Sequence, residues 1–311
     1  MHGHADSGDC GLLVLSDAMA RVEIAPAIGG GIASFHWQRD GRQQDWLRPA
    51  TREALATGDA SGMGCFPLVP YSNRVRGGRF SFCGRKVALP ITPETDPHFE
   101  HGHGWRRPWQ IAGLSRGSLS LLLDHPADAW PWHYQAEQKI ELMESGGLRL
   151  VLTVTNLDDD PMPLGVGYHP YFPKSPNTRL TANVHAMWAT DEEILPTELV
   201  PPRPEADPNR GMAAAKTALD NVFTAWDGHA QIDWPEASAR LRVEADAPLR
   251  FLVLYTPAKE PYFCAEPVSN ATDAFNLADT GRTDTGMIVL GPGQSLCAQV
   301  RLVPAWHHAS N

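Results

Sequence analysis

Positive charge is scarce in this 311-residue chain. Twenty-six Lys and Arg stand against 36 Asp and Glu, a formal net charge of −10. No basic run exceeds a few residues, which argues against a nucleic-acid or anionic-membrane partner, since both demand a basic surface. Paired cysteines are also missing. Cys10, Cys65, Cys83, Cys264 and Cys297 are odd in number, scattered and without a CxxC pair, as expected of reduced thiols in a cytoplasmic protein. No apolar run approaches the roughly 20 residues that span a bilayer. The start, Met1-His2-Gly3-His4-Ala5-Asp6, lacks the basic and apolar regions of a signal peptide. Residues 1–10 are expected to form a flexible segment. Neither a P-loop nor a dinucleotide fingerprint occurs. Helical periodicity is nearly absent too: Arg52 to Leu55 suits one short turn and Met212 to Leu219 has helix-favouring composition, but neither persists with period 3.6.

What is present alternates with period two. Leu148, Leu150, Leu152 and Val154 interleave with Arg149, Val151, Thr153 and Thr155. Leu180 to Trp188, Leu241 to Ala245 and Ala298 to Leu302 repeat the pattern, each reading as a half-buried strand. Phe80-Ser81-Phe82 and Val87-Ala88-Leu89 flank Gly84-Arg85 as a hairpin. Leu119 to Leu123 and Phe251 to Tyr255 are continuous apolar runs, suited to strands buried on both faces. The proline- and acid-rich Pro196 to Asn209 reads as a long loop. An all-β architecture of antiparallel strands follows, a large sandwich or a barrel, in one domain over 1–311.

Five segments carry residues that scaffolding alone does not require. His169 sits in Gly165-Val166-Gly167-Tyr168-His169-Pro170-Tyr171-Phe172, held extended by Pro170 among aromatic faces. In isolation it reads sooner as a core histidine with one satisfied hydrogen bond than as a catalyst. Asn73-Arg74, between a Pro-rich apolar run and Gly77-Gly78, places a forked donor on a rigid loop. Glu100-His101-Gly102-His103-Gly104-Trp105-Arg106-Arg107 suits either a sugar site, with Trp105 as a stacking face and imidazoles for hydroxyls, or a metal site joining His101, His103 and His169. Asp220 precedes an apolar run, as an Asx-turn residue or a ligand-facing carboxylate. Glu266 interrupts an apolar strand, which is costly unless the carboxylate is paired or has a chemical task.

In this order the segments resemble the aldose 1-epimerase (galactose mutarotase) family. The marks are Asn73-Arg74, His101-Gly102, Gly167-Tyr168-His169-Pro170-Tyr171-Phe172, Asp220 ahead of Val222-Phe223, and Glu266-Pro267. Gly286 to Gly293 is similar to the family's final turn. The resemblance covers most of the chain. It implies a β-supersandwich of the galactose mutarotase kind, a small-molecule sugar as partner, and interconversion of α and β anomers with no cofactor and no metal. His169 matches the general acid and Glu266 the general base. Asn73, Arg74, His101, Trp105 and Asp220 fall at or beside ligand-binding positions. One departure is His103-Gly104 after His101-Gly102, where galactose mutarotases commonly have a second glycine. Arg106 and Arg107 leave open a phosphorylated sugar, and a sugar-binding protein without catalysis is a further alternative.

Overall fold

In the computed structural model, which describes residues 11–306, the period-two runs become two large antiparallel sheets. The clearest run is realised as Leu148–Asn156, whose even-numbered side chains are buried and odd-numbered ones half-buried. It lies inside a nine-stranded sheet between Tyr134–Leu142 and Ser295–Trp306. The second sheet has eleven strands. At its centre Cys65–Leu68, Gly167–Pro173, Tyr262–Val268, Phe251–Tyr255 and Asp220–Thr224 lie side by side. One hydrophobic core takes in Val22, Phe35 and Leu254 from the larger sheet and Leu150, Leu241 and Val300 from the smaller. This is the all-β sandwich expected. No helix among the described residues is long and apolar enough to cross a membrane, and residues 1–10 lie outside the described residues.

The central strands of the larger sheet are buried on both faces. One face adds Phe172, Phe263, Ala265 and Leu254 to the core between the sheets. The other carries Phe66, Tyr171, Val253, Cys264 and Val268 in a separate apolar cluster. The Phe251 to Tyr255 run therefore matches its expectation.

Several local expectations are corrected. Leu119 to Leu123 is not buried on both faces. In Ser118–His125 only Leu119, Leu121, Leu123 and His125 are buried, because the sole strand beyond it, Gln110–Leu114, is fully exposed and no second layer covers that flank. Leu180 to Trp188 is two strands in different sheets, Arg179–Ala182 and Ala186–Thr190. Between them the Asn209 side chain binds both the backbone N–H and the carbonyl of Val184, and Asn183 holds Asp227, so side chains replace ladder partners. The Pro196 to Asn209 stretch begins as an edge strand, Pro196–Val200, with proline at the first position, where no ladder donor is needed. Met212 to Leu219 supplies the two-residue strand Met212–Ala213 and no helix. Arg52–Thr57 is the expected helical turn, capped by Thr51, and the hairpin of Arg79–Phe82 with Arg85–Ala88 forms. The helix Ala274–Asp279 carried no periodic signal.

The entry to the His169 strand is tied to the exit from the Glu266 strand. Val166 and Ser269 exchange backbone and hydroxyl hydrogen bonds. The Asn270 amide donates to the carbonyls of Ser72 and Ala271 and accepts from the Ser72 N–H. Three distant segments are thereby held at one point. Gly165 is forced by this clasp, since a Cβ there would stand 2.0 Å from Asn270 Oδ1. Gly165→Ala is expected to destabilise the protein by about 1–3 kcal/mol through overpacking. A lower denaturant midpoint at unchanged slope would show it; an unchanged midpoint would mean the clasp gives way freely.

Candidate active site

Strand register builds the site. Gly167 pairs with Val268 and Tyr171 with Cys264, which sets His169 directly opposite Glu266. On its other flank His169 faces Phe66, and Glu266 faces Val253, so one rung reads Phe66, His169, Glu266, Val253. The next rung reads Tyr171, Cys264, Tyr255, Asp220. Side chains two apart on a strand share a face. His169 with Tyr171, and Cys264 with Glu266, thus lie on the side away from the main core.

His169 Nε2 lies 3.4 Å from Glu266 Oε1, and both residues are buried, Glu266 at 1% exposure. Among the described residues neither Glu266 Oε2 nor His169 Nδ1 has a hydrogen-bond partner. The imidazole is stacked on Tyr171 (4.6 Å, 17°), contacts Phe66 at 4.8 Å, and meets His101 edge-on at 5.1 Å. The Arg48 guanidinium carbon lies 3.9 Å from the Tyr171 ring centroid.

Two loops close over this floor. Asn73 and His101 both adopt left-handed backbone (φ 68° and 62°) and hold one another. The His101 N–H donates to the Asn73 carbonyl and the Asn73 N–H donates to His101 Nδ1 at 3.0 Å. Burial, reinforced by the charges of Arg74 and Arg106, pushes the His101 pKa down to about 3. The ring is therefore neutral. With Nδ1 accepting, its proton sits on Nε2, a donor 3.6 Å from Glu100 Oε1. Asn73 Oδ1 accepts from the Arg74 backbone and guanidinium, aiming the latter between Asp220 (3.3 Å) and Glu100 (3.2 Å). Burial opposes the Arg74 charge, but the two carboxylates outweigh it and hold the guanidinium firmly protonated. Trp105 stacks on Phe66 at 4.9 Å and 19°.

Electrostatically the floor favours neutral forms. Burial, then the charges of Asp220 and Glu100, push the Glu266 carboxyl well above its usual range, while Arg74 pulls the other way. Burial, then His101 and Arg48, push the His169 imidazole well below its usual value. Burial thus disfavours the carboxylate and the imidazolium alike.

The structure brings Asn73, Arg74, His101, Trp105, His169, Asp220 and Glu266 to one cavity of about 310 Å³. Asp220 opens its strand and pairs with Arg74 rather than serving only a turn. His103 does not join them. Its Nε2 lies 2.7 Å from the Tyr134 hydroxyl and its ring stacks on His125 at 4.0 Å, behind the cavity wall, so His101, His103 and His169 do not converge on a metal. Arg106 and Arg107 also turn away, to Asp96 and Asp128. Glu100 and Tyr171 were missed as site residues. Alternation from His169 places Tyr171 on the same face and so signals it; Glu100 is signalled only by its adjacency to His101.

Comparison with known proteins agrees with this architecture. The family model described as aldose 1-epimerase matches residues 12–302. The uncharacterized protein YphB of Escherichia coli K12 is 35% identical over 303 residues, covering 95% of this chain and 99% of its own. A crystal structure from Escherichia coli K12, described as a candidate aldose 1-epimerase, is 32% identical with a TM-score of 0.84, covering 95% of this chain and 99% of its own. Galactose 1-epimerase of Lactobacillus acidophilus shares the fold at 17% identity and a TM-score of 0.76, covering 99% and 98%. The match extends over nearly the whole chain, and the protein belongs to the aldose 1-epimerase family.

Proposed function

We propose that the protein interconverts the α and β anomers of a free aldohexose, with Glu266 as the base and His169 as the acid. The observation that carries this reading is the buried Glu266–His169 pair, 3.4 Å apart on one rung at the floor of a polar cavity. A pyranose presents two oxygens on its anomeric carbon, the hydroxyl O1 and the ring oxygen O5. Adjacent acid and base groups can address both at once. The base takes the O1 proton as C1–O5 breaks, and the acid protonates O5. The aldehyde rotates about C1–C2, and the steps reverse on the other face.

The pair needs no proton from solvent. Its charge-separated form, Glu266 carboxylate with His169 imidazolium, holds the same single proton as its neutral form. Ring opening converts the first into the second: Glu266 gains the O1 proton and His169 gives one to O5. Burial favours the neutral pair, so the environment that opposes the starting form assists ring opening. Arg74 supports the carboxylate before reaction.

A free sugar fits better than a phosphorylated one. Among the described residues Arg74 is the one Lys or Arg lining the cavity, and two carboxylates already flank it. Trp105 offers a face for the C–H side of the sugar ring. Trp105→Ala is expected to raise KM about tenfold, the equivalent of about 1.4 kcal/mol of stacking, with a smaller change in kcat. Steady-state kinetics would show the split; a collapse of kcat alone would give Trp105 a different role.

The testing experiment is polarimetry of freshly dissolved α-D-glucose and α-D-galactose, beside their 6-phosphates. Acceleration for the free sugars is expected. Acceleration for the phosphates alone would overturn the substrate assignment. Calorimetric binding of a sugar without any acceleration would instead identify a non-catalytic binder.

A further inference from the structure

The second rung holds a buried donor that the proposed epimerisation does not use. Cys264 is fully buried, with its thiol on the Glu266 face of the strand, two residues away. One nitrogen of His169, the Cys264 sulfur and one oxygen of Glu266 all lie within 4.8 Å of one another. A point at the centre of a triangle with 4.8 Å sides is about 2.8 Å from each corner. Zinc bonds run about 2.0–2.1 Å to histidine nitrogen, about 2.0–2.2 Å to carboxylate oxygen and about 2.3 Å to thiolate sulfur. At that outer limit, inward shifts of about 0.5–0.8 Å bring all three donors into range. Two of these residues carry polar atoms with no partner among the described residues, Glu266 Oε2 and His169 Nδ1. Two of the three donors, His169 and Glu266, line the cavity.

From this geometry we infer that His169, Cys264 and Glu266 form a three-donor site for a thiophilic divalent cation such as Zn²⁺, and that sugar turnover and metal binding exclude one another. Charge balance suits the burial. A carboxylate and a thiolate beside a neutral imidazole offset the two charges of one Zn²⁺, so the occupied site buries no uncompensated charge. The metal occupies the lone pairs that proton transfer needs. The metal is an inhibitor here, not a cofactor. Inhibition rests on the epimerase reading; metal binding does not.

The experiment uses the full chain with Cys10, Cys83 and Cys297 changed to Ser, and Co²⁺ as a spectroscopic stand-in for Zn²⁺. Stoichiometric Co²⁺ is expected to produce a near-ultraviolet thiolate-to-cobalt band, and the band is expected to vanish in Cys264→Ser and in His169→Ala. If Cys264→Ser does not fold, His169→Ala and the presence or absence of the band on the parent chain decide. Zn²⁺ is expected to stop anomer exchange reversibly, with EDTA restoring it, and Cys264→Ser is expected to need about 100-fold more Zn²⁺ for the same inhibition while retaining activity without metal. No thiolate band, or equal zinc sensitivity with and without Cys264, overturns the site. A thiolate band in a protein with no epimerase activity would keep the site and reject the enzyme reading instead.

Discussion

Glu266→Gln is expected to lower the rate of anomer exchange by about 10³-fold or more, since one positioned proton-transfer group contributes about 10² to 10⁴ and the pair acts as a unit. The same change is expected to stabilise the protein at neutral pH. Burial raises the Glu266 pKa in the folded state well above its ordinary value. Above the unfolded pKa of about 4.3 the unfolded chain releases this proton while the folded one retains it. Stability then falls as pH rises from that value towards the folded pKa. Glutamine keeps the shape, carries no such proton and escapes the loss. A gain of about 1–2 kcal/mol is expected, about 2–4 °C in Tm for each kcal/mol, growing between pH 5 and 7. Thermal unfolding of both forms across this range would show it. A variant less stable than wild type at pH 7 would mean that Glu266 is held as a satisfied ion.

His169→Gln is expected to cost about 10²- to 10⁴-fold in exchange rate, with a stability effect of the opposite pH sign. Burial lowers the His169 pKa in the folded state. As pH falls below the unfolded value of about 6.5, the unfolded chain takes up a proton that the folded one refuses. Stability contributed by the neutral ring is therefore lost on the acid side. The glutamine variant is expected to lose less stability than wild type between pH 6.5 and 5. His101 and buried His103 keep their own share of the acid sensitivity, since burial lowers both. Denaturant titrations at pH 5 and pH 7 give the difference directly. Parallel losses in both proteins would mean that His169 does not resist protonation.

Much of this was legible in the sequence because alternation is a one-dimensional signal. It gave Leu148–Asn156 its buried face, and it made Glu266 stand out as a charge inside an apolar strand. What alternation does not encode is which strands become neighbours. The rung of Phe66, His169, Glu266 and Val253 draws on four strands from three distant parts of the sequence, and the residues were gathered beforehand only through their family order. The break between Arg179–Ala182 and Ala186–Thr190 was invisible because the pattern continues across it while the chain changes sheets; Asn209, some 25 residues away, supplies the bonds that permit the change. His101 and His103 looked equivalent as neighbours two apart. The left-handed backbone at His101 and Gly102 sends one ring to the cavity and the other to Tyr134. Glu100 shows its role only in space, where Arg74 arrives from another loop to meet it.

The most direct test of the account is NMR exchange spectroscopy on equilibrated D-glucose and D-galactose, following magnetisation between the α and β anomeric protons. With catalytic amounts of wild-type protein the account predicts exchange cross-peaks for at least one free hexose, and none above buffer for Glu266→Gln. Wild-type protein indistinguishable from buffer on a panel of free aldoses, or Glu266→Gln as active as wild type, would contradict it.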